Sequence, residues 1–209
     1  MRYGGTIPFL LVERYDRAAH NDGTITRLHQ EDFCQALSVP PELKYEEEGG
    51  PGTERSLGLI DRATARPAAD RLAFIRALIF HYLVGNADAH GKNYALLYRG
   101  KVPDLAPLYD VVCTAAYPRL AKKQAMAIGG RAVPDTIQLK HWLTLVPETR
   151  GAQRLLVKDI ADLAGRIGKE ADGLLAEFEE GGTKNKVLKA VRAVIETRAT
   201  YLLRIAGNV

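Results

Sequence analysis

The chain has 209 residues, 46% hydrophobic and 26% charged, enough apolar material for one large domain or a catalytic lobe with its own core. No run approaches the roughly 18 apolar residues that cross a bilayer, the N-terminus lacks the basic, apolar, small-residue order of a secretion signal, and Cys34 and Cys113 are too few and wrongly spaced for a disulfide framework or a metal cluster. A net charge of +4 with scattered Lys and Arg argues against direct nucleic-acid binding, so a reduced, cytoplasmic setting away from membranes is expected.

In chain order, Ile7 to Arg17 begins apolar and β-favouring and predicts a strand running out into a polar turn. Asn21-Asp22-Gly23 signals a turn, hence a hairpin or loop over 18–26. Glu31 to Leu37 suits a short helix with acids in its first turn, stopped by Pro40-Pro41. Residues 45–52, Tyr-Glu-Glu-Glu-Gly-Gly-Pro-Gly, predict an exposed, mobile loop.

Pro67 at a helix start and the apolar positions Leu72, Phe74, Ile75, Leu78, Ile79, Tyr82 and Leu83 predict a buried helix that Gly85 ends. Tyr94 to Tyr98, the turn Arg99-Gly100-Lys101 and Val102 to Leu108 predict a β-hairpin that returns Asp110 beside Asp88. A short strand is expected over Gln124 to Ile128, ending at Gly129-Gly130. Two long helices follow, one carrying Leu155, Leu156, Ile160, Leu163 and Ile167, the other Val187 to Ile205, separated at Gly181-Gly182. The expected fold class is α+β and mostly helical.

The loop after the buried helix reads Asn86-Ala-Asp88-Ala-His90-Gly-Lys92-Asn93. Phosphoryl transfer from ATP needs one carboxylate to accept the hydroxyl proton, and an amide oxygen with a second carboxylate to hold magnesium on the phosphates. Asp88, Asn93 and Asp110 supply those types in that order. Asp88 precedes Asn93 by five positions, as the catalytic Asp precedes the metal-binding Asn in protein kinases. Taken singly, Asp88 reads as a helix cap, Asn93 as a turn amide and Asp110 as the N-cap of a helix over Val111 to Tyr117. Lys92 either neutralises the moving phosphoryl group or is a solvated loop lysine. His90 and Asn86 are expected to order the loop through hydrogen bonds. Asp88-x-His90 is also a conceivable metal pair for a metallophosphoesterase, but the other histidines are scattered singly.

Four ordered stretches carry a resemblance. Leu11 to Arg17, Arg27 to Phe33, Gly85 to Asn93 and Leu105 to Asp110 together resemble the C-terminal half of HipA-family toxin serine/threonine kinases, whose fold is similar to that of phosphatidylinositol-3-kinase-like enzymes. The pattern Asp-x-His-x-x-Asn is met by Asp88, His90 and Asn93. The match is densest from Leu10 to about Gly130 and looser through the C-terminal helices. It implies a protein-kinase-like C-lobe over 18–209, with 1–17 as the hinge strand of an N-lobe. It further implies Asp88 as base, Asn93 and Asp110 as magnesium ligands, Glu13 and Tyr15 as a hinge against adenine, and Asp16 near the ribose.

The implied activity is ATP- and magnesium-dependent phosphorylation of a protein of the translation apparatus, within a bacterial toxin–antitoxin module. A HipB-like antitoxin would restrain it, and DNA would be met only through that partner. Upstream of Glu13 there are twelve residues, with no lysine before Lys44. The phosphate-covering loop and phosphate-binding lysine of the family's N-lobe are therefore not expected in this chain. It would be truncated, one part of a split kinase completed by another chain, or a non-catalytic antitoxin-binding module.

Overall fold

A computed structural model describes residues 2–4, 7–9, 11–182 and 185–207. Leu10, within the predicted opening strand, and Gly5 lie outside the described residues. Strands β1 (Arg2–Gly4) and β2 (Ile7–Phe9) pair antiparallel. Residues 11–14 are irregular, so the predicted strand is shorter than its apolar run.

The turn signal at Asn21-Asp22-Gly23 becomes a hairpin of β3 (Arg17–Ala19) and β4 (Ile25–Arg27). Gly23 takes φ +83°, and the Asp22 carboxylate accepts from the Thr24 N–H and hydroxyl, which suits a tight polar turn. A three-stranded antiparallel sheet then carries β6 (Ala95–Tyr98) at its centre, flanked by β5 (His29–Asp32) and β7 (Asp104–Leu105). The hairpin predicted at residues 94–108 is present with Leu96 opposite Leu105.

β5 is a correction. Glu31 pairs with Leu96 in the sheet and Asp32 is the N-cap of a shorter helix, α1 (Phe33–Ala36), so neither acid lies in a first helical turn. The Asp32 carboxylate accepts from the Gln35 N–H while the Gln35 side chain accepts from the Asp32 N–H, a reciprocal cap.

Helix α2 (Thr53–Ala63) has no counterpart among the elements predicted from sequence. Its apolar positions are few, and Gly52 precedes it in place of a side-chain cap. Helix α3 (Pro67–Val84) is as predicted, with Pro67 in its first turn and Gly85 left-handed at φ +72° after its last residue. Phe74, Ile79, Tyr82 and Leu83 on it are at most 1% exposed, each burial stabilising by about 1.5–3 kcal/mol. They join Phe33, Tyr94, Trp142, Ile160 and Leu202 in the main core.

Helices α4 (Leu139–Leu143), α5 (Arg150–Glu180) and α6 (Lys186–Ala206) complete the fold. α5 is pinned to α3 by the two-pronged Arg76–Asp159 pair, at 2.8 and 3.0 Å. The architecture is α+β and mostly helical, as expected. No helix among the described residues is long and apolar enough to cross a membrane.

Three local expectations fail, the first only in part. Residues 45–52 are only in part the exposed loop expected: Glu47, Glu48 and Gly49 are exposed, but Glu46–Glu48 form a 3₁₀ turn and Gly50, Pro51 and Gly52 are buried. A Cβ on Gly50 would lie 2.2 Å from the Leu43 carbonyl oxygen, so close backbone approach, not looseness, explains the glycine. Residues 124–128 form no strand; Ile128 only bridges Arg131 around left-handed Gly129 and Gly130. No helix follows Asp110 directly, since only Thr114–Ala116 turn as 3₁₀ and Asp110 itself is left-handed at φ +54°.

Candidate active site

The site begins where α3 stops. Gly85 reverses the backbone, and the Asn86 N–H returns to the His81 carbonyl at 2.9 Å. The Asn86 side chain, 2% exposed, then organises the residues just beyond it. Its Oδ1 accepts from the Asp88 N–H at 3.0 Å, while its Nδ2 faces His81 Nδ1 at 3.1 Å and the Asp110 carbonyl at 3.4 Å. The loop is also sewn outward, because the Thr114 hydroxyl accepts from the Ala87 N–H and donates to the Gly85 carbonyl. Asn86 thus hydrogen-bonds His81, Asp88 and Asp110 together.

Asp88 is half-buried and lines a cleft of about 660 Å³ together with Tyr45, Glu48, Thr114, Lys122 and Gln124. The Tyr45 hydroxyl donates to its carboxylate at 2.7 Å, and this bond pushes the Tyr45 pKa up to about 12. One carboxylate oxygen is therefore oriented by a neutral donor. His90 packs edge-on to the Tyr45 ring at 5.3 Å, and burial, aided by the charge of Lys44, lowers its pKa. Its N–H donates to both the Asp88 carbonyl and Asn93 Oδ1. His90 is thereby a buried member of the loop's frame.

Asn93, 3% exposed, places Nδ2 2.8 Å from Asp110 Oδ2. The hairpin brings Asp110 back to Asn93 and, through its carbonyl, to Asn86; among the described residues no bond joins it to Asp88, beside which it was expected. Asp110 is exposed; Asn93 turns its amide nitrogen towards that carboxylate, while its Oδ1 accepts from the His90 backbone N–H at 3.1 Å. A carboxylate and an amide oxygen are donor types that suit magnesium, but in this arrangement the Asn93 oxygen is engaged by the backbone. Among the described residues no three His, Cys, Asp or Glu side chains gather into a metal site, which a metallophosphoesterase reading would need. Lys92 contributes its carbonyl, which accepts the Tyr109 hydroxyl at 2.5 Å.

The predicted nucleotide residues divide. Tyr15 packs on Tyr109 with ring centroids 6.0 Å apart and donates to Gln30 Oε1 at 2.8 Å, so it reaches the 86–93 loop through Tyr109. Asp16 is 2% exposed and is gripped by Arg14 at 2.6 and 2.8 Å and Arg17 at 2.6 Å. The hydrogen bond from Arg14 leads in lowering its pKa to about 2. Glu13 is exposed.

Sequence pattern assigns no role to Tyr45, His81, Tyr109 or Thr114. Tyr45 reaches Asp88 across 43 positions, and no local pattern announces such a contact. Tyr109 alone carried a signal, through its place beside Asp110.

A family model described as HipA-like C-terminal domain matches residues 1–174, and the chain belongs to that family. It is 49% identical over 173 residues to the Sinorhizobium fredii protein named "Putative kinase Y4mE", an alignment covering 83% of this chain and 41% of that protein. It is 29% identical over 174 residues to the Shewanella oneidensis "Serine/threonine-protein kinase toxin HipA", covering 78% of this chain and 40% of that one. A solved Shewanella oneidensis structure titled as a complex of HipA, HipB and operator DNA superposes with a TM-score of 0.81 at 24% identity, over 94% of this chain and 49% of that chain. The chain thus spans about two fifths of the length of these curated relatives.

Proposed function

We propose that this chain is the catalytic lobe of an ATP- and magnesium-dependent protein serine/threonine kinase of a toxin–antitoxin module. The observation that carries the reading is a single loop that presents the Asp88 carboxylate to a cleft and sets the Asn93–Asp110 pair a few residues away. In this reading Asp88 accepts the proton of a substrate Ser or Thr hydroxyl as its oxygen attacks the terminal phosphoryl group. Such proton transfer contributes about 10² to 10⁴ in rate. Asn93 and Asp110 would hold magnesium, which when bound neutralises charge on the phosphates.

Tyr45 fixes the carboxylate, and Asn86 and His90 fix the backbone beneath it. Lys92 stands on the same loop as a cation for the phosphates. Tyr15 and Glu13 are proposed at the adenine, with Asp16 towards the ribose as part of its arginine cluster. The parts of the ATP site that family kinases carry in an N-terminal lobe would be supplied by a segment outside this catalytic unit. A HipB-like antitoxin, a translation-apparatus substrate and a cytoplasmic setting are proposed with it, with DNA reached through the antitoxin; the likeness to a structure titled as a complex of HipA, HipB and operator DNA supports the partner kind.

Transfer of label from γ-labelled ATP to a protein acceptor tests the reading. Asp88→Asn is expected to reduce it at least about 100-fold while shifting unfolding free energy by less than about 1 kcal/mol, as for a substitution outside the core. Undiminished transfer would remove Asp88 from its role.

A further inference from the structure

Behind the catalytic loop lies a small cavity of about 10 Å³, walled mainly by Leu78, Ala89, Met126 and Ile128, with His81, Tyr94 and Gln124 also on its lining. Three of these lining residues each carry a buried polar atom with no hydrogen-bond partner among the described residues: His81 Nε2, the Tyr94 hydroxyl and Gln124 Oε1. His81 and Tyr94 are each 2% exposed. A buried polar group left unpaired costs about 1–3 kcal/mol, so three around one void mark a site for a shared partner.

Neighbouring hydrogen bonds fix the tautomer of His81. The Asp88 N–H makes Asn86 Oδ1 an acceptor, so Asn86 Nδ2 must donate to His81 Nδ1. His81 Nδ1 then carries the lone pair and Nε2 carries the proton. Burial holds His81 neutral, with its pKa lowered to about 4. The wall therefore offers a donor at His81, an acceptor at Gln124 and a hydroxyl at Tyr94 that can do either. A molecule that accepts once, donates once and meets a hydroxyl satisfies all three. The cavity is about the smallest that admits a water, and a buried water usually makes two to four hydrogen bonds.

We propose that this cavity binds one internal water, accepting from His81 Nε2–H, donating to Gln124 Oε1 and bonding the Tyr94 hydroxyl. Through it α3, the entry to β6 and residues 124–126 become one unit. His81 passes the constraint to Asn86, and Asn86 to the Asp88 N–H. His81, Tyr94 and Gln124 are positioning residues for the loop, a role that rests on the kinase reading; the water site itself does not.

A high-resolution crystal structure should show one ordered water within hydrogen-bond distance of all three atoms. A cavity closed by direct bonds among the side chains, or one without an ordered water, would overturn the site. Water-oxygen relaxation dispersion should lose about one long-lived water in Gln124→Met and in Tyr94→Phe, and an unchanged amplitude in both would equally overturn it. Gln124→Met should speed exchange of the Asp88 amide hydrogen about fivefold, the equivalent of one net hydrogen bond, while the amides of β6 stay as they were. Unchanged exchange at Asp88 would end the positioning role. None of these readouts is phosphoryl transfer, so an inactive protein would count against the kinase reading alone.

Discussion

Residues 86–93 and 117–123 meet at the same cleft and are built in opposite ways. In the first, Asn86, Ala89, His90, Gly91 and Asn93 are buried, and side-chain amides bond the backbone turns from within. In the second every residue from Tyr117 to Lys123 is exposed, although Leu120, Ala121, Lys122 and Lys123 form the facing wall. A reacting carboxylate must be held in place before the substrate arrives. A wall that meets a protein acceptor gains from segments of low local stability. The contrast separates the half of the cleft that the fold fixes from the half left exposed to solvent.

If residues 86–93 are the fixed half, disturbing the frame should cost stability, and pH supplies the strongest disturbance. His81 titrates at about 4 when folded against an ordinary 6.5, because burial disfavours its charge although Asp110 opposes this. Between those values the unfolded chain takes up a proton that the folded one does not. The stabilisation is therefore complete above about pH 6.5 and is lost as pH falls through about 4, by up to roughly 3 kcal/mol. His90, lowered in the same direction, adds to it. Denaturant unfolding from pH 7.5 to 4 should show this slope, and His81→Gln should flatten it; an equal slope in the variant would separate His81 from the frame.

Gly85→Ala is the next way to break the contrast. The position has φ +72°, and an added Cβ would sit 2.6 Å from Val194 Cγ1 and 2.9 Å from Ala115 Cβ. A loss of about 1–3 kcal/mol is expected from strain and overpacking, with label transfer falling alongside, as measured by thermal unfolding and the ATP assay. A stable, fully active variant would mean the loop does not depend on this reversal.

The smallest stability effect belongs to the other wall. Leu120→Ala with Lys122→Ala should leave unfolding free energy within about 0.5 kcal/mol, as exposed substitutions do. The KM for a protein acceptor should rise while the KM for ATP holds. A comparable rise for both substrates would show that residues 117–123 are not specific to the acceptor.

Much of this arrangement was legible in the sequence because it rests on local rules. The apolar positions of α3, Pro67 at its start and Gly85 after it mark the helix within a residue. The Asn21-Asp22-Gly23 turn and the Arg99-Gly100-Lys101 turn each produced a hairpin. Asp88, Asn93 and Asp110 stood out by chemical type and spacing, and the structure joins Asn93 to Asp110. The errors fell where packing outranked propensity. Glu31 and Asp32 looked like a helix start, yet sheet pairing with β6 claimed one and the cap claimed the other. Residues 45–52 looked loose because glycine is read as freedom, whereas Gly50 is there to let two backbone stretches touch.

The order of elements, the end of α3 and the oxygen-bearing side chains of the loop come from amino-acid type and spacing alone, since periodicity and turn chemistry act within a few residues. The groups that hold Asp88 are brought in by tertiary packing. Tyr45 comes from 43 positions upstream and Thr114 from beyond the hairpin. Hydrogen bonds between distant segments leave no periodic trace in a sequence, because their partners are set by how the elements pack and not by where they fall along the chain.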